Sequence, residues 1–431
     1  MDDVNFQMWN DSSYDSGQIL LSNKTPSTYT ETTTTTTPFA TTTLSVEEKS
    51  STISSDGDYL PWDNPDNIIS YETYLLMERG LFCYAIPTLF LVGVPTNLLN
   101  CVVFYRQGLR DRMNLCLFCL ALVDMLFVAL FFTLSSHCAL GNYVDAEVAR
   151  WWKIITRKYL TGVYRGFLFS SGCLTMIISV ERCLCVFLPM KAMTLMKTRT
   201  MAALIAATIL TLQSLCLLYP LKLDLVEHRN ARGTNDTAIF VVHFTQLYAH
   251  SPALQILENV ILMTVIPFFT FAVVVVATAL TVIQLRRAIV WRRSSASAST
   301  SASAANITRK ERGLVTMLVT VNCVFIITAS PNIALGLTRS LVYDFWLTRR
   351  YANIYMSAHG WLLGLGVLNS SINFFVYVFR SSRFRQELRG LPLFGLCVAR
   401  KKKHNASYLN ASTTSVTLSD RFIKKKTEER E

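Results

Sequence analysis

Two ionisable side chains stand where ionisation is costly. Asp124 lies in the apolar run Leu120-Ala-Leu-Val-Asp124-Met-Leu-Phe127, and Arg165 follows Tyr164 in another. A charge at such a position marks a functional site unless it is protonated, paired or able to reach an interface. For Asp124 two readings stand: a protonated acid bonded to a neighbouring helix, or a carboxylate at the centre of a small site for water and a sodium ion. Asn97, Ser171, Asn369, Ser370 and Asn373 carry the oxygens such a site needs, with Asp124 and Ser171 as the expected ligands to the ion. For Arg165 the alternatives are a guanidinium that snorkels outward, or one that receives a carboxylate or the amide end of a peptide.

A third group is Glu181-Arg182-Cys183, at the end of the run that carries Arg165. If that run is helical, Tyr164, Ser171 and Arg182 share one face to within about 20° and span about 27 Å. Asn369, Asn373 and Tyr377 repeat at i, i+4 and i+8, a second polar stripe. The six histidines (137, 228, 243, 250, 359 and 404) form no helix-spaced ligand pair within an apolar run. His359 reads as a core or pore-mouth residue. No enzyme is expected, and no cofactor beyond the sodium ion.

The elements that must position these groups follow from composition. The chain has 431 residues, 51% of them hydrophobic and 16% charged, with mean hydropathy +0.32. Apolar runs long enough to cross about 30 Å of hydrocarbon lie near 81–105, 113–135, 158–188, 200–219, 257–285, 312–338 and 353–379. Only helices satisfy their backbone polar groups alone in lipid, so the expected fold is an all-α integral membrane bundle of seven helices. Most of the eleven cysteines fall inside these runs and read as small apolar residues.

Basic residues concentrate in the loops after the first, third and fifth runs and in the tail (Arg400-Lys-Lys-Lys403, Lys424-Lys-Lys426), while Asp and Glu dominate the N-terminal arm. The positive-inside rule places the arm outside and the tail inside a plasma membrane. The net charge of +12 then points to anionic lipid as a partner and not to nucleic acid. Residues 1–78 read as a disordered, glycosylated arm with no cleavable signal peptide. Residues 79–391 form the helical domain, with a flexible insert at 294–305, and 392–431 the basic tail. Asn10, Asn23 and Asn235 head outward-facing glycosylation triplets. Phe384, Leu388 and Leu391 beside Arg383, Arg385 and Arg389 predict a short amphipathic eighth helix, with Cys397 beyond it as an S-acylation site.

Residues from about 80 to 391 resemble the rhodopsin-like, class A, G-protein-coupled receptors in order and spacing. Asn97, Leu120-Ala121-Leu-Val-Asp124, Glu181-Arg182-Cys183, Pro267, Phe325, Pro331 and Asn373-Phe-Phe-Val-Tyr377 carry the resemblance. It implies a receptor that couples an outside ligand to a heterotrimeric G protein, with kinases and arrestin acting at the tail. It also implies a lock between Arg182 and Glu311 that opens on activation. Gly93-Val-Pro-Thr-Asn97 and the segment from Glu181 to Pro189 are similar to divergent invertebrate orphan chemosensory-type or peptide-receptor-like members. The alternatives are a seven-helix protein that is non-signalling or constitutively active, and a transporter.

Departures from that pattern are specific. Phe374 replaces the seventh-helix proline, Ala329 the sixth-helix aromatic toggle and Val275 a fifth-helix tyrosine. Arg157 stands where the third helix normally bears a disulfide cysteine, and residues 221–256 contain no cysteine. Cys83 and Cys138 are the remaining outward cysteines; two free thiols are expected, with a bridge between them the alternative. Tyr164 occupies the position at which amine receptors of the family carry an aspartate, so no monoamine ligand is expected. Tyr164, Arg165, Arg157, Arg339 and His359 are the expected ligand pocket. With Lys158, Arg349 and Arg350 they make the mouth basic, which suits an acidic peptide, an anionic small molecule or the acidic arm itself.

Overall fold

The computed structural model describes residues 5–9, 18–22, 66–137, 144–188, 192, 196–229, 238–294, 302–346 and 349–392. Seven helices are long and apolar enough to cross a membrane. They are α1 (Tyr71–Gln107), α2 (Arg112–Ser135), α3 (Ala146–Phe187), α4 (Thr198–Cys216), α5 (Pro252–Val290), α6 (Ala302–Leu341) and α7 (Ala352–Arg380). A short α8 (Ser382–Arg389) follows α7 after the non-helical residue Ser381, whose hydroxyl accepts from the Phe384 amide. The end of the bundle at the starts of α1, α3, α5 and α7 is called here the arm end, and the opposite end the tail end.

The helices close into a ring in which α3 touches α2, α4, α5 and α6, while α7 packs on α1, α2 and α6. One apolar core fills the tail half around Leu117, Leu120, Leu174, Ile178, Leu318 and Tyr377, and a second fills the arm half around Leu81, Phe127, Phe131 and Tyr164. Glycine sets the approach of α1 to α7: a Cβ at Gly93 would collide with the Ser371 hydroxyl. That close contact brings the Asn97 amide to the Ser370 carbonyl, 2.9 Å away.

Both wide turns in the bundle have a local cause. α1 is π-helical over Gly80–Ala85 and α5 over Leu257–Val265, and each stretch is followed within two residues by a proline, Pro87 or Pro267. A proline lacks the N–H of the α-helical ladder and crowds the carbonyl four residues before it, and a π turn accommodates both. Pro331 lies inside α6.

Several boundaries differ from the sequence reading. α1 begins at Tyr71, inside the stretch read as arm, with the Ser70 hydroxyl as N-cap to Thr73. Strands β1 (Asn5–Trp9) and β2 (Gln18–Ser22) pair within that same stretch. The segment between α4 and α5 forms an antiparallel hairpin of β3 (Leu223–Arg229) and β4 (Ala238–Phe244), which composition did not predict. The insert read at 294–305 is helical as far as Ser294 and again from Ala302. The eighth helix is present, with Phe384 buried against Phe104 and Tyr377. Asn10, Asn23, Asn235, Cys138 and Cys397 lie outside the described residues. Cys83 is disulfide-bonded, so two free thiols is a reading the structure overturns.

Candidate functional site

Asp124 on α2 is fully buried, and three donors converge on it. Its Oδ1 accepts from the Ser171 hydroxyl of α3 at 2.5 Å and from the Ser370 hydroxyl of α7 at 2.8 Å. Its Oδ2 accepts from Asn373 Nδ2 at 3.0 Å. A buried carboxylate needs such partners, because desolvation without them costs several kcal/mol, on the order of the whole stability of a fold. Two of the expected neighbours sit one step away. Asn97 donates to the backbone of Gly93 and Ser370. Asn369 accepts from the Thr328 hydroxyl of α6 at 3.1 Å and does not touch Asp124. Of the two expected neighbours Asn369 and Ser370, it is Ser370 that reaches Asp124, because the helical turn that aims Asn373 at α2 also aims the residue three before it.

At the tail end, Glu181 is fully buried between two guanidiniums. Arg182 Nε and Nη2 both donate to it, the latter at 2.7 Å. Arg112 Nε of α2 lies 2.9 Å from Glu181 Oε1. Arg112 also donates to the carbonyls of Ala192 and Met196 and to Cys185 Sγ, so one side chain ties α2, α3 and the loop after α3 together. The sequence marks Arg112 only as a loop charge; a buried glutamate needing a second cation is the signal that locates it. The Glu311 side chain lies outside the described residues. Tyr377 is buried edge-on to Phe104, with ring centroids 5.3 Å apart.

At the arm end the helices enclose two adjoining cavities. The upper, about 60 Å³, is lined by Arg165, Phe169, Met263, Pro267, Asn332, Arg339, Tyr355 and His359 among others. Arg165 reaches it from α3, with Nη1 on Met263 Sδ at 2.9 Å and the Tyr219 ring beneath at 5.4 Å. Its Nε is buried without a hydrogen-bond partner. Arg339 reaches it from α6, donating to the Asn259 carbonyl and the Thr264 hydroxyl, and lies over the Trp346 ring. His359 stacks on Tyr355. No carboxylate lines this cavity. The lower, about 120 Å³, runs beneath it to Ser171, Asn369 and Ser370 and is lined by Phe325, Ala329 and Pro267.

Two expected pocket residues lie elsewhere. Tyr164 is turned into the core of α2, edge-on to Phe131 at 5.2 Å, and lines neither cavity. Its hydroxyphenyl group is large and mostly apolar, and the Phe127–Phe131 surface of α2 buries it. Arg157 also lines neither cavity. Of the outer cations, Arg350 pairs with Asp66 of the arm at 3.4 Å, and Arg349 stacks on Tyr343.

Glu258 of α5, missed in the sequence, is the anchor of the loop beyond α4. It accepts from Lys222 Nζ at 2.8 and 2.9 Å and from the Tyr248 hydroxyl at 2.7 Å. A carboxylate inside Leu257-Glu258-Asn-Val-Ile-Leu262 carried the same signal as Asp124.

The family model of the seven-transmembrane receptors of the rhodopsin family matches residues 96–377. Among curated proteins, a Caenorhabditis elegans protein described as a candidate G-protein coupled receptor is 24% identical over 358 residues, which cover 79% of each chain. The family match spans Asp124, Glu181-Arg182 and Asn373.

Proposed function

Because the chain belongs to the rhodopsin family of seven-transmembrane receptors, we propose that it sits in the plasma membrane with its arm outside and its tail inside. There it converts binding of an anionic ligand, carried by a peptide or a small molecule, into activation of a heterotrimeric G protein. The observation that carries this reading is the upper cavity, where Arg165 and Arg339 converge with no carboxylate among the lining residues. Two partly buried cations with no carboxylate in the wall they share favour an anion, since a charge-assisted hydrogen bond is stronger where water is partly excluded.

Helix α3 links that cavity to the tail end. Arg165 faces the ligand site, Ser171 bonds Asp124, and Glu181 holds Arg182. A ligand that favours one packing of α3 against α6 and α7 shifts the population in which Arg182 leaves Glu181 for a G-protein helix. Glu311 serves as the further inactive partner of Arg182 in this scheme. Asp124, Ser171 and Ser370 supply the oxygen set a sodium ion requires, and the lower cavity reaches two of them. A bound ion would hold α2, α3 and α7 together and oppose the switch. The outward asparagines 10, 23 and 235 serve glycosylation, Cys397 S-acylation, and the Thr and Ser residues of the tail kinases and arrestin.

The test is a G-protein dissociation sensor in cells, with carboxylate-bearing peptides and small acids as the screened ligands. Arg182→Ala abolishes the response at equal surface expression, and Arg165→Ala raises the half-maximal concentration at least tenfold. A response to no G-protein type, with normal surface expression, supports the non-signalling reading instead.

A further inference from the structure

We infer that the ligand is a monoanionic organic acid whose apolar tail descends from the Arg165–Arg339 chamber into the larger cavity beneath. This rests on the reading of the upper chamber as an anion site and specifies what is attached to the anion.

The two cavities are continuous in their walls: Leu168, Phe169, Pro267, Asn332 and Leu363 line both. Charge is confined to the upper one. The lower holds twice the volume, about 120 against 60 Å³, and its lining includes no ionised side chain. Four of its polar side chains already bond within the protein, and Asn332 sits where the lower cavity meets the upper. Ser171 and Ser370 donate to Asp124, and Thr328 donates to Asn369. What these walls leave to a ligand is therefore mainly apolar contact, with Phe325, Ile333 and Leu362. A polar tail would lose water there and find few free partners.

Charge also decides the direction. Asp124 lies directly behind Ser171 and Ser370 at the floor, so a second anion at the lower end would face a buried carboxylate. The head belongs at the arginines and the uncharged end at the floor. Small residues make the room: Ala329 stands in the wall two residues before Pro331, and Gly366 faces it from α7. Along α3, Arg165 to Gly172 is seven residues, roughly 10 Å, which sets the reach from head to tail end. An apolar cavity of about 150 Å³ accepts benzene, so this one takes a tail of about that bulk or less.

The test uses the full-length receptor, purified into lipid nanodiscs, and reads the thermal unfolding midpoint against acetate, butyrate, hexanoate, 3-phenylpropanoate and decanoate. Hexanol and 3-phenylpropanol serve as uncharged controls. The half-saturating concentration should fall about fourfold per methylene from acetate to hexanoate, from the transfer value of a buried methylene. Decanoate should gain nothing further, and the alcohols should be at least tenfold weaker than the matching acids. Ala329→Trp plugs the lower cavity and should abolish the chain-length gain while keeping the acetate response; Ala329→Leu, a gentler plug, should give an intermediate ladder. Arg165→Gln should lose all the acids.

A wild-type response that ignores tail length, or plugged variants with the wild-type ladder, overturns the tail placement and leaves the anion chamber standing. Alcohols equal to acids, or an Arg165→Gln protein that responds like wild type, overturns the anion chamber and the inference with it. So does the absence of any shift with every acid.

Discussion

Arg112 and Arg182 share one carboxylate: Glu181, wholly buried, lies 2.9 Å from Arg112 Nε on α2 and accepts from Arg182 Nη2 at 2.7 Å within α3. The glutamate that binds Arg182 is thereby held by a second helix. Neutralising it acts on both partners. Glu181→Gln is expected to raise basal G-protein signalling several-fold by releasing Arg182. A basal signal at or below wild type, at matched surface expression, counts against the restraint.

Removing Arg112 has a different consequence. Arg112→Ala takes away one of two cations facing a buried carboxylate and also frees the carbonyls of Ala192 and Met196. Breaking a buried pair on one side costs about 3–5 kcal/mol. The expected result is a thermal midpoint lowered by several degrees in detergent, with the double variant Arg112→Ala, Glu181→Gln recovering part of the loss. A double variant whose loss equals the sum of the singles shows that the two residues act independently.

Glu258 of α5 and Lys222, just before β3, clasp the β3–β4 hairpin to α5. Glu258→Gln removes the negative charge facing Lys222 and one of the two oxygens that Lys222 and the Tyr248 hydroxyl share. It is expected to lower the unfolding midpoint and to raise hydrogen exchange in residues 222–248, with the tail half unaffected. Exchange that rises evenly over the bundle would show a general destabilisation and no clasp.

Cys83 is disulfide-bonded, and eight other cysteines are free, so among the eleven only Cys138 and Cys397 remain as partners. Cys138 follows α2, whose end lies with Cys83 at the arm end, while Cys397 follows α8 in the sequence, so Cys138 is the partner to test. A reductant should lower the midpoint of the wild type and of Cys397→Ala but leave Cys138→Ala unchanged, because that variant has already lost the bridge. An equal effect of reductant on Cys138→Ala would point to another partner.

His137, just past α2, is held at a pKa of about 4 by burial and by the cations of Lys153 and Arg157. Its unfolded value is about 6.5. The unfolded state then binds the proton first, so stability should fall as pH drops from about 6.5 towards 4 and level off below. His137→Gln should flatten the midpoint-against-pH curve in that window alone. A wild-type curve already flat there removes His137 as the cause.

Seven apolar runs, their helical nature and the residues Asp124, Arg165 and Glu181-Arg182 were legible in the sequence alone. Each follows from a one-dimensional rule: run length against bilayer thickness, or a charge where lipid penalises it. Ser171, read as one of the oxygens around Asp124, bonds it, whereas Tyr164, placed in the ligand pocket by resemblance, does not line it. Only packing decided between two faces of α3 separated by one residue: Tyr164 turned to Phe131 of α2, and Arg165 to the cavity shared with Arg339. Packing likewise decided that Ser370 and not Asn369 reaches Asp124, and that Arg112 is the second holder of Glu181. A sequence shows which groups cannot stay unpartnered in a membrane. Which partner each takes depends on how helices distant in the chain rotate and approach, and that is set by contacts such as Gly93 against Ser371, a property of the assembled bundle.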